Sequence, residues 1–126
     1  YCGHSVKLVG WSFPGRHHSA SPLLDELPPS HGITLGLLHA DLDAFGSEYA
    51  PVRKSELVAA GLQGWFLGHV HRPDPIPTGS EPFYLGSVTG LNPNETSLHG
   101  PVLVQVSGGG SLAADAFPWL PYDGKN

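Results

Sequence analysis

The sequence predicts a mixed α/β domain, mostly β-sheet with one main helix. Three observations carry that expectation. Apolar, β-rich runs recur at residues 6–13, 33–39, 62–68 and 101–107, each the length of a strand rather than of a helix. A single segment, "APVRKSELVAAG" at 50–61, carries helical signals. Proline, glycine and serine punctuate the chain between these runs, and no internal repeat or low-complexity tract interrupts them.

Taken in order, "VKLVGWSF" (6–13) reads as a core strand, and "PGRHHSASP" after it as a turn. "LLDELPP" (23–29) reads as a short helical turn stopped by Pro28 and Pro29. "ITLGLLH" (33–39) is a near-continuous apolar run, the mark of a strand buried on both faces. "ADLDAFGSEY" reads as a loop. In the helical segment Pro51 suits the first turn, Leu57, Val58 and Ala60 supply an apolar face, and Gly61 supplies the stop. "LQGWFLG" (62–68) is a further strand, ending in "GHVHRPDP", and "RPDPIPTGSEP" is a proline-rich loop. "FYLGSVTG" (83–90) is a short strand ending in glycines. "PVLVQVS" (101–107), the turn "GGGS" and "LAADAFPWL" (112–120) read as a hairpin.

The chain of 126 residues suits one domain, with 40% hydrophobic and 13% charged residues. A net charge of −5 leaves no basic stripe of the kind duplex-binding surfaces show. No apolar run approaches the ~20 residues of a membrane helix, and no basic-then-apolar leader opens the chain. The single cysteine, Cys2, excludes an internal disulfide, and the cytoplasm is the expected compartment. Methionine is absent even at position 1, and the chain opens almost at once on a strand, so residues 1–126 are expected to be one piece of a longer chain.

Histidine is the compositional outlier, at 8 residues. His17, His18 and His31 stand in polar loops and read as surface residues. His39, by contrast, closes one apolar run, and His69 and His71 follow another. Were those two strands neighbours, three imidazoles would meet at one sheet edge, where rigid scaffolds present functional groups. Neutral imidazole is a common ligand for zinc, iron and nickel, and manganese accepts it beside carboxylates. Alternation along an extended chain would turn His69 and His71 to the same side, with Val70 away. A lone strand-end histidine is commonly just a hydrogen-bonding residue, and an isolated H-x-H pair is also common. The combination of "LLH" with "GHVHRP" about thirty residues later, across a helix, is more specific.

The segments "GWSFPG", "ITLGLLHADL", "YAPVRKSEL", "GWFLGHVHRP", "YLGSVTGLNPNE" and "HGPVLVQV" occur in this order over roughly residues 9–106. In order and spacing the chain resembles the calcineurin-like metallophosphoesterase superfamily, and particularly its DNA-repair exonuclease branch. "GHVH" resembles the last metal-binding motif of that family and "LLH" the one before it. The resemblance implies the C-terminal half of an αββα sandwich and a two-metal phosphodiester hydrolase. In such a centre, metals ~3.5–4 Å apart clamp the attacking and leaving oxygens. It further implies that His39 and His69 ligate one metal and His71 the other. The metals implied are manganese, with iron or zinc as alternatives. Arg72, on the same turn, becomes a phosphate contact, although as a residue type it equally suits a solvated loop.

The family's upstream motifs are aspartate-x-histidine, glycine-aspartate and glycine-asparagine-histidine-acid, and none occurs here. The acids near the histidines, Asp41, Asp43 and Asp74, do not stand in equivalent positions. The chain is therefore expected to lack the N-terminal half of the domain, to bind metal weakly and to hydrolyse nothing alone. Its open face is expected to drive self-association. Gly68 is expected to relieve crowding near a metal or substrate, "GSVTG" to form a loop at the site edge, and Glu95 resembles a family acid without an assigned role. The substrate stays open among DNA, nucleotides and small phosphoesters.

Two other classes merit comparison. A cupin-type barrel with one metal expects a glutamate shortly beyond the H-x-H pair, where Pro75 and Ile76 stand, and a later histidine in surroundings that His99 lacks. A structural zinc site is usually cysteine-rich, and there is one cysteine.

Overall fold

The computed structural model describes residues 5–24 and 32–117 and shows a mixed α/β domain, mostly sheet with one short helix. The principal strands are β1 (Val6–Trp11), β2 (Ile33–His39), β5 (Gly64–Gly68) and β6 (Phe83–Tyr84). They form one sheet in the order β1-β2-β5-β6, every pairing parallel. Between β2 and β5 lie the two-residue strands β3 (Asp41–Leu42) and β4 (Pro51–Val52), paired with each other, and then α1 (Lys54–Ala59). After β6 come β7 (Val102–Val106) and β8 (Leu112–Ala116), which pair antiparallel as the expected hairpin.

Pleating distributes side chains to two faces. Trp65 and Leu67 of β5 join Leu38, Val52, Leu57 and Tyr84 in one core, beneath α1 and the β3–β4 pair. Phe66 joins Leu35 and Phe83 in a second core, closed by Val102, Val104, Val106 and Leu112 of the hairpin. This two-sided burial explains why "GWFLG" reads as an unbroken apolar run. Close approach is built in at two glycines. A Cβ on Gly36 would lie 2.0 Å from the Trp65 ring, and one on Gly64 would lie 2.6 Å from Leu112 Cδ1.

Several expectations shift at their ends. β1 stops at Trp11, two residues early, and Phe13 turns toward His39 instead of continuing the strand. β2 is not wholly buried: Leu37 is 40% exposed. Pro51 lies in β4, outside α1, because the helix starts at Lys54 under two carboxylates. Asp43 Oδ1 accepts the Lys54 N–H at 2.9 Å, and Glu56 accepts the Arg53 N–H at 3.0 Å. The strand expected at 83–90 ends at Tyr84, since Gly86 turns to a φ of +73°. The helical turn expected at 23–29 appears as a 3₁₀ turn at Pro22–Leu24; residues 25–29 and 118–120 lie outside the described residues.

Tyr84 ties the sheet to the segment after β2. Its hydroxyl accepts the Leu42 N–H at 2.7 Å and donates to the Ala40 carbonyl at 3.2 Å. Burial, chiefly, holds this phenol above its ordinary pKa, so it stays a donor as well as an acceptor. The segment that carries His39 outward is thereby fixed to the strand after the histidine pair. Among the described residues, no helix is long and apolar enough to cross a membrane.

Candidate metal centre

β2 and β5 are neighbours, and in their register His39 pairs with Gly68, the residue just before His69. Both histidines therefore sit at the carboxyl edge of a parallel sheet, the edge at which open α/β sheets bind ligands. Their rings meet edge-on, with centroids 5.3 Å apart and planes at 74°. Two imidazoles sharing one ion, with N–metal bonds of ~2.0–2.1 Å, hold their centroids about 4.5–5.2 Å apart. The observed separation of 5.3 Å lies just beyond that range.

Aromatic neighbours fix both rings. Tyr49 stacks on His69 at 5.0 Å, and Phe13 meets His39 edge-on at 5.3 Å. Burial, and then the nearby His69 and His71, holds the His39 imidazole below its ordinary pKa. A neutral ring with a free lone pair is what a metal requires.

The pair is not extended as alternation implies. β5 ends at Gly68, and His69 takes a φ of +100°, left-handed backbone that side chains other than glycine rarely adopt. Strain of this kind clusters at functional sites. The crowding at Gly68 is against the His39 ring: a Cβ there would lie 3.1 Å from the His39 Nδ1.

Asp41 emerges as a neighbour that sequence reading set aside. Its Oδ1 lies 3.8 Å from His69 Nε2, and its Oδ2 accepts the Ser47 hydroxyl at 2.6 Å. The available signal was alternation, since Asp41 stands two residues beyond His39.

His71 stands beside this group and is held differently. Its Nδ1 lies 2.8 Å from Glu95 Oε1, and its carbonyl accepts the Ser87 N–H at 2.9 Å. Gly86 permits that second contact, because a Cβ there would come within 2.8 Å of the His71 carbonyl oxygen. Gly86 and Ser87 of the "GSVTG" segment thus pack on the His71 carbonyl. His99, only 3% exposed, stands behind it with Nδ1 3.1 Å from the Ser87 carbonyl. Arg72 lines an adjoining polar cleft of about 440 Å³ with Asn94, Glu95, Thr96 and Ser97. Asp74 is turned away from the histidines to accept the Tyr84 N–H at 2.9 Å, and Asp43 caps α1.

Two adjacent imidazoles with a carboxylate at their flank suit manganese, iron or zinc. Among the described residues, however, no three His, Cys, Asp or Glu side chains converge as a ligand set. Comparisons with family models, curated proteins and solved structures found no match.

Proposed function

We propose that this chain supplies the histidine share of a two-metal phosphodiesterase centre, in a cytoplasmic enzyme of the DNA-repair exonuclease kind. The observation that carries the reading is the His39–His69 pair, ring against ring at the carboxyl edge of adjacent parallel strands. In this reading His39 and His69 hold one ion, His71 holds the second, and Arg72 receives a phosphate oxygen. The remaining donors, a bridging carboxylate above all, come from the other half of an αββα sandwich. When bound, such a pair of cations supplies Lewis-acid charge at phosphoryl oxygens and lowers the pKa of water. The chain's own residues orient imidazoles, keep His39 neutral and hold the substrate's negative charge. Among the described residues the principal sheet is parallel and flanked by a helix, where a cupin-type centre needs an antiparallel barrel.

Manganese titration of the chain, followed by imidazole NMR, tests the site. Paramagnetic broadening is expected at His39, His69 and His71 before His17 and His18. Broadening that begins at His17 and His18 would overturn the ligand assignment. The full-length gene product is expected to hydrolyse a chromogenic phosphodiester with manganese, and a chain that folds and binds the ion without turnover would defeat the enzymatic reading.

A second copy of the chain is the proposed occupant of its open face. Among the described residues β1 stands first in the sheet order, with Leu8 62% exposed. It borders a groove of about 380 Å³ lined by Leu8, Leu37, Phe66, Val88 and Val104 among others. Exposed apolar side chains beside an apolar groove favour self-association. Sedimentation is expected to show dimers that dissociate when Leu8→Lys is introduced; a monomer at every concentration would contradict this.

A further inference from the structure

Glu95 has no part in that scheme. Glu95 sits in a loop whose polar groups are aimed inward at its own carboxylate. The Leu91 N–H donates to Oε2 at 2.7 Å, and Asn92 Nδ2 donates to Oε1 at 2.7 Å. The loop is further closed by Glu95 N–H to the Asn92 carbonyl at 3.0 Å and Asn94 N–H to Asn92 Oδ1 at 3.0 Å. Two donors thus orient the carboxylate before it meets any partner, and its side chain is only 16% exposed. The remaining direction of Oε1 is filled by His71 Nδ1 at 2.8 Å.

An ionised carboxylate is acceptor-only, so the bond requires the proton to be on Nδ1. A carboxyl group is ionised at any pH where imidazole is neutral. In a neutral ring the tautomer follows: Nδ1 donates, and Nε2 carries the lone pair. The His71 backbone is anchored independently, through its carbonyl to the Ser87 N–H. With the ring pinned at one nitrogen and the backbone at another point, Nε2 has a defined direction.

We propose that Glu95 is the positioning residue of His71, fixing it as the Nδ1–H tautomer and reserving Nε2 for a divalent cation. The metal half of this statement rests on the function proposed above; the tautomer half does not. Outer-sphere carboxylates of this type raise ligand basicity, and their loss typically weakens metal binding about 10–100-fold. A plain surface ion pair would have no such consequence, and it would leave the ring free to exchange tautomers.

Long-range proton–nitrogen correlation on the metal-free chain at alkaline pH reads the tautomer directly. His71 is expected as Nδ1–H, and an Nε2–H form in the unsubstituted chain overturns the proposal outright. Glu95→Ala is expected to move His71 toward Nε2–H while the His99 ring signals, behind Ser87, report an intact loop. An unchanged tautomer with those signals intact also overturns it. In manganese titration the same variant is expected to weaken broadening at His71 about 10–100-fold while His39 and His69 respond as before. Equal affinity at His71 in variant and parent chain defeats the positioning role. If manganese broadens no histidine yet His71 is Nδ1–H, the tautomer assignment stands and the metal reading falls.

Discussion

Trp65→Ala is expected to cost about 3–5 kcal/mol, a large share of the ~5–15 kcal/mol that a domain typically holds in reserve. Three losses coincide at this side chain. It is 1% exposed in the larger core, so its removal leaves a cavity where Leu57, Val52 and Leu67 now pack. Its indole N–H donates to the Leu57 carbonyl at 2.8 Å, so deletion also orphans a buried acceptor. That bond is a polar tie between α1 and the sheet. The third loss is contact with Gly36, across which the ring lies. Urea denaturation followed by far-UV circular dichroism checks this. A shift below about 1 kcal/mol would mean that the core is not organised around this ring.

Gly36→Ala tests the same packing from the other side. Its Cβ would lie 2.0 Å from Trp65 Cε3, and both the strand and the ring would have to move. Because the damage runs through one contact, the double variant with Trp65→Ala is expected to be less destabilised than the sum of the singles. Additive losses would place the two residues in separate environments.

How much of this was legible in the sequence depends on the range of the interaction. "ITLGLLH" and "GWFLG" announce themselves because strands packed on two faces need apolar residues without alternation. The hairpin at β7–β8 is equally plain, with a glycine turn between two strand-length runs. The start of α1 was not legible. Pro51 satisfies the local rule for a first turn, yet the helix waits for Lys54, whose N–H is met by Asp43 from eleven residues earlier. The two-residue strands β3 and β4 are shorter than any period can reveal.

The site divides in the same way. Histidines at two strand ends were visible, but their meeting depends on β2 lying beside β5, which no run of residues states. Glu95 lies 24 residues from His71 and needed the fold to bring it there. The bend at His69 ran against expectation, because an apolar strand leading into H-x-H reads most simply as continuous extension.

That bend makes His69 the position at which stability and function are expected to part. In ordinary backbone, glycine is less stable than alanine by roughly 0.5–1 kcal/mol, because it loses more freedom on folding. At a φ of +100° the order reverses, since a Cβ is strained there and glycine is not. His69→Ala keeps the strain and loses the rings it packs on, Tyr49 at 5.0 Å and His39 at 5.3 Å. A fall of about 1–2 kcal/mol is expected, the sum of aromatic contact and partial burial. His69→Gly loses the same contacts but sheds strain of about 1–3 kcal/mol, and is expected to match the parent chain or exceed it. Both substitutions should abolish manganese broadening at His39, because either removes the second imidazole of the pair. Denaturation midpoints of the three chains, set beside the manganese titration, check the two effects together. Alanine as stable as glycine would show that the bend carries no strain. Manganese broadening at His39 that survives in both variants would show that His69 is not its partner. With glycine the more stable and the ion lost, the chain holds an imidazole in a conformation its own stability disfavours, and ligation by His69 supplies the reason.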